Sequence, residues 1–150
     1  MKEIGIIEEN YHVMQKSSRK FIIEFHLGNY RLSLDNIDIN HRMSEETLCF
    51  SADLVFNGEV VGICSNRGCG GIAEYDLYKK NEDFNNFSYK VRDIVDCSFP
   101  KQTFDNCSII DSLACLSATF KNNNVTTITK AKAVINMLNE ETKKYHEQFS

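Results

Sequence analysis

The sequence predicts an α+β fold: an antiparallel β-sheet meander packed against two C-terminal helices. Three observations carry this. Alternating apolar runs flank Asn57-Gly58 within Leu48–Tyr78, and a third run follows a glycine-rich turn, Asn66–Gly71. Apolar residues recur at helical spacing in two late segments, with polar residues between them. The chain has 150 residues, 42% of them hydrophobic and 25% charged, which suits a single globular α+β domain with a real core.

In chain order, Glu3–Glu9 carries Ile4, Ile6 and Ile7 and reads as a first strand, and Asn10–Lys20 as a polar loop. Phe21–Leu27 is a strand with Phe21, Ile23 and Phe25 on one face. Gly28-Asn29 turns it into Tyr30–Leu34, and Asp35–Glu46, with Ile37 and Ile39, is a polar connection that can hold an edge strand. Leu48, Phe50, Ala52, Leu54 and Phe56 then share a face up to Asn57-Gly58, whose residue types tolerate the positive φ of a type I′ turn. Val60–Cys64 is apolar on both faces, as in a central strand, with Gly62 marking a bulge or a close backbone approach. Ile72–Lys79 is the third strand of the meander.

Lys80–Asn86 is a charged loop. Phe87–Cys97 leans to helix because Val91, Ile94 and Val95 fit i, i+3, i+4 spacing, and Pro100 ends that segment. Asp105, Asn106 or Ser108 caps a helix running to about Lys121, with Ile109, Ile110, Leu113, Leu116 and Phe120 as its stripe. Asn122-Asn123-Asn124 stops it. Thr127 or Thr129 caps the last helix, Lys130–Gln148, with Ala133, Val134, Met137, Leu138 and Tyr145 near one side.

A formal charge of −4 argues against non-specific nucleic-acid binding, which needs a basic face. No apolar run has transmembrane length, and the acidic N-terminal stretch is unlike a signal peptide, so a cytoplasmic protein with no membrane partner is expected. Its six cysteines are then reduced, and none has C-x₂-C spacing, so neither a metal nor a cofactor is expected.

The Asn66–Gly71 loop supports two readings. One is a wide strand connection whose glycines supply positive φ. The other is a nest of backbone N–H groups that faces an anion, with Arg67 as a bidentate clamp. It ends in neither Gly-Lys-Ser/Thr nor a helix, and Gly68, Gly70 and Gly71 do not make G-x-G-x-x-G. In the second reading the candidate ligand-binding residues are Asn66, Arg67, Gly68, Gly70 and Gly71, with Arg92 as a further cation and Tyr75 and Phe87 as stacking rings for a base. Core packing is the competing role for each ring. Cys69, between glycines and beside Arg67, is the one thiol placed for nucleophilic chemistry, but no histidine stands at a spacing that serves it, and no enzyme is expected.

The hairpin and the Asn66–Gly71 turn, with the small acidic Asn-, Lys-, Ile- and Phe-rich chain around them, resemble phage anti-Thoeris proteins, which sequester cyclic ADP-ribose-type signals without cleaving them. The resemblance covers about the middle third of the chain and carries over no individual binding residue. It implies a phage-encoded protein in the host cytoplasm and a homo-oligomer with pockets for a small phosphorylated nucleotide near its subunit interfaces. It also implies no catalytic chemistry. The alternative is a protein-binding inhibitor of a host defence complex, of the anti-CRISPR kind, against which the dispersed acidic residues count.

Overall fold

A computed structural model of the chain describes residues 1–92, 95–96, 102–103 and 105–149. Seven strands form one antiparallel sheet in sequential order: β1 (Lys2–Ile7), β2 (Tyr11–Ser17), β3 (Lys20–Leu27), β4 (Tyr30–Ile39), β5 (Phe50–Phe56), β6 (Glu59–Asn66) and β7 (Glu74–Leu77). Helix α1 (Glu82–Arg92) follows. A two-residue pairing of β8 (Val95–Asp96) with β9 (Gln102–Thr103) precedes α2 (Asn106–Asn122) and α3 (Ile128–Phe149). The expected α+β meander with two C-terminal helices is therefore the fold. No helix among the described residues is long and apolar enough to cross a membrane.

The tight turns follow their residue chemistry. Asn57 and Gly58 take φ of 50° and 84°, and the Asn57 side chain accepts from the Arg31 amide at 2.8 Å, tying this turn to the adjacent strand. Gly62 lies where the β5–β6 register skips a residue, Leu54 facing Gly62 and Val55 facing Val60. A Cβ there would run into the Asp76 carbonyl, so the bulge and the close approach are both real.

Four sequence expectations are corrected. Asn10–Lys20 is not a loop, because Tyr11–Ser17 forms β2 with Tyr11 and Val13 buried; the polar run from Lys16 to Lys20 had masked that alternation. The strand from Tyr30 continues to Ile39 through a bulge at Asn36, whose φ is 49°. Helix α1 starts at Glu82 inside the expected loop, because the Asn81 side chain accepts from the Phe84 amide at 3.0 Å; it ends at Arg92, and Ile94 lies outside the described residues. Helix α3 begins at Ile128 and buries Ala131, Val134 and Ile135 rather than Ala133 and Met137; the Tyr145 side chain lies outside the described residues.

All three helices contribute to one core, on the same face of the sheet. Helix α3 packs on β1, α2 lies across β3 and β4, and α1 supplies Phe84 and Phe87. Those rings meet Phe25, Tyr30, Phe56 and Tyr75 at centroid distances of 5.3–6.2 Å, in tilted and edge-on geometries. Among the described residues nothing covers the reverse face, so β6 is not covered on both sides: Cys64 points inward while Val60 and Ile63 stand exposed.

Candidate functional site

Strand β6 delivers Asn66 into the protein at the start of the glycine-rich loop. Its buried side chain makes four hydrogen bonds. Oδ1 accepts from Thr47 Oγ1 at 3.0 Å and from the Gly68 amide at 2.9 Å. Nδ2 donates to the Gly71 carbonyl at 3.3 Å and to Asp111 Oδ1 at 2.9 Å. The other Asp111 oxygen accepts from the Ala73 amide at 2.9 Å. One amide and one carboxylate thus pin both ends of the loop to α2.

The 40–49 segment clamps the loop from another side. The Gly68 carbonyl accepts from the amides of Glu45, Glu46 and Thr47 at 3.0, 3.0 and 3.4 Å. Gly68 has φ of 84°, and a Cβ there would collide with the Met43 carbonyl and lie 2.9 Å from Cys49 Cβ. Glycine is required at this position by backbone angle and by space alike. A Cβ at Gly70 would meet the Glu46 carboxylate, so a negative charge stands over that part of the loop.

The anion reading is narrowed by this arrangement. The Gly68 amide is already taken by Asn66, and Asn66 itself is spent on the loop's own structure. The amides of Cys69, Gly70 and Gly71 make no hydrogen bond among the described residues, and Arg67 is exposed with no ion pair among them. These are the donors left for a ligand. The Cys69 thiol is exposed and rests 3.8 Å from the Arg67 carbonyl.

The other expected site residues do not join the loop. Phe87 is wholly buried between Phe25, Tyr30 and Phe56 and presents no open ring face to a base. Tyr75 packs on Phe84 at 5.6 Å, and its hydroxyl accepts from Asn106 at 3.3 Å. Arg92 lies over the Tyr89 ring at 6.0 Å. Lys90, two residues earlier, sits over Tyr30, whose strand starts at the opposite end of the sheet from Asn66. Of the two roles open to each ring, Phe87 and Tyr75 take core packing, and α1 turns Phe84 and Phe87 inward.

Three residues that shape the site were not singled out from the sequence: Thr47, Glu46 and Asp111. Asp111 had a local signal, a carboxylate set between Ile110 and Leu113 on an otherwise apolar helix stretch. Thr47 and Glu46 had none. Elsewhere, burial first and neighbouring carboxylates second push the Cys64 thiol up to about 12 and raise those of Cys107 and Cys115, which suits unreactive thiols. His26 contacts Glu24 at 3.1 Å, and its ring stacks on His12 at 3.8 Å.

The comparisons decide no family. No family model matches the chain, and comparison with curated proteins and with solved structures returns no match.

Proposed function

We propose that the chain is a capture protein that binds a small phosphorylated nucleotide of the cyclic ADP-ribose class and does not cleave it, as the anti-Thoeris proteins it resembles do. One observation supports this best. The loop is held rigid by bonds that use Asn66, Gly68 and Asp111, yet the Cys69, Gly70 and Gly71 amides and the Arg67 guanidinium remain available. Donors already held in place lose little entropy on binding an anion. A pyrophosphate would accept from the amides and, bidentately, from Arg67. The Glu46 carboxylate stands close to Gly70 and opposes an anion there by like-charge repulsion. Association into a homo-oligomer belongs to the same reading.

The test is calorimetry with cyclic ADP-ribose and its isomers. Arg67→Ala weakens binding about tenfold or more, a loss of about 1.4 kcal/mol, with an unchanged melting temperature. Glu46→Gln strengthens it. Ligand released by heating has its original mass. Absence of binding to the unmodified chain overturns the proposal.

A second reading, inhibition of a host defence complex by direct protein contact, is favoured by one observation. Met43, whose carbonyl lies against Gly68, and Ile72, which directly follows the loop, are 51% and 61% exposed. Apolar side chains around an arginine on a rigid tip make an effective interface anchor. A stoichiometric protein recovered from host lysate, with no bound small molecule, selects this reading over the first.

A further inference from the structure

A cavity of about 400 Å³ opens between β3, β4 and the last turns of α2. It exists because two elements depart from regularity at the same place. Strand β4 bulges at Asn36, so the register passes from Asp35–Asp53 to Asp38–Ser51. Opposite it, α2 ends in a Schellman turn: the Val125 amide donates to the Phe120 carbonyl and the Asn124 amide to the Lys121 carbonyl, both at 3.1 Å, with Asn124 at φ 52°. The strand bends and the helix stops, and among the described residues no side chain fills the gap between them.

The walls are Phe21, Ile23, Leu34, Ile37, Phe120 and Val125. Around them stand Arg19, Lys20 and Lys121, three exposed cations with no ion pair among the described residues. One carboxylate, Asp35, also borders the cavity, and its Oδ1 accepts the Asn36 amide at 3.0 Å. An anion beside a helix C-terminus ordinarily meets free carbonyls. Here the Thr119, Phe120 and Lys121 carbonyls already accept from Asn123, Val125 and Asn124.

We propose that this cavity is a binding site for a small organic anion with a flat apolar body, the body lying between Phe21 and Phe120 and the charged group facing Arg19, Lys20 and Lys121. The volume falls in the range of small-molecule sites. The excess of three cations over one carboxylate selects the sign of the ligand, on a chain whose net charge is −4. The site uses no residue of the 66–71 loop and stands independently of the nucleotide reading.

The probe is 8-anilinonaphthalene-1-sulfonate, which carries one fixed negative charge on an aromatic body. Titration of the full chain gives saturable one-to-one fluorescence enhancement, and amide shifts in NMR spectra concentrate at Ile22, Ile23, Ile37, Ser117 and Val125. Reversing Arg19 and Lys121 together, as Arg19→Glu with Lys121→Glu, raises the dissociation constant about tenfold or more. Ser117→Phe, which fills the cavity at the cost of one hydrogen bond to the Leu113 carbonyl, abolishes binding. Arg67→Ala leaves it unchanged. Non-saturable binding, shifts centred on the open sheet face or the 66–71 loop, or full affinity in both folded cavity variants overturns the proposal. Circular dichroism of each variant establishes that it is folded, and the charge reversals, at exposed positions, keep the test decisive if Ser117→Phe is not.

Discussion

At the scale of single residues, Asn66 organises the candidate site. Its one amide satisfies a backbone donor, a backbone acceptor, a hydroxyl and a carboxylate, which leaves no local substitute. Asn66→Ala leaves Asp111 Oδ1 on one side and the Gly68 amide on the other without the partner each has now, while Asp111 Oδ2 keeps the Ala73 amide. The expected cost is about 2–4 kcal/mol, read as a lower urea midpoint with the slope unchanged. The sequence marked Asn66 as a loop residue because it opens a glycine-rich turn. Its partner Asp111 was not legible, because the two stand 45 positions apart and no periodicity links them. Phe87 and Tyr75 take the core-packing role that the sequence left open for each ring, and the choice was not legible for a related reason. An aromatic beside a loop in sequence becomes core or ligand platform according to how α1 docks, and docking is settled by the whole apolar face.

At the scale of elements, local chemistry was most legible where it is strongest. The Asn57-Gly58 hairpin, the Asp105 cap of α2 with its 2.7 Å bond from the Ser108 amide, and the polar stop after Asn122 all stand where side-chain types demanded. Strand β2 and the first turn of α1 escaped because polar residues dilute their patterns. Gly62 provides a test at this scale. Gly62→Ala drives a methyl into the Asp76 carbonyl and should detach β7 from β6, lowering stability by about 2–4 kcal/mol. Gly28→Ala, at φ 59° with open space around it, costs only about 1 kcal/mol. Hydrogen exchange distinguishes the two, with lost protection across Glu74–Leu77 expected in the first alone.

At the scale of the whole molecule, sheet order follows from the short connections, since consecutive strands joined by tight turns pair with one another. What the pattern did not disclose is that all helices gather on one face. Val60 and Ile63 read as buried, yet nothing covers them among the described residues. The shared core also sets an alkaline limit. Burial raises Cys64 from 9.0 and Tyr11 from 10.0, each to about 12, so the folded chain holds these protons where the unfolded chain releases them. Stability from these groups is complete below about pH 9 and is lost as pH rises toward 12, at up to about 1.4 kcal/mol per pH unit for each group. Melting temperatures across that window should fall, and Cys64→Ala should flatten the early part of the decline. The contact of α3 with β1 has a consequence of another kind. Asn139 bonds the Ile6 carbonyl across 133 positions, whereas each strand of the sheet pairs with its immediate neighbours in sequence. On the ribosome, where residues emerge from the N-terminus onward, the hairpins have time to zip together as they appear. Ile7 has to wait for a helix not yet synthesised, so a nascent chain stalled before Ile128 should be a better chaperone client than the finished one.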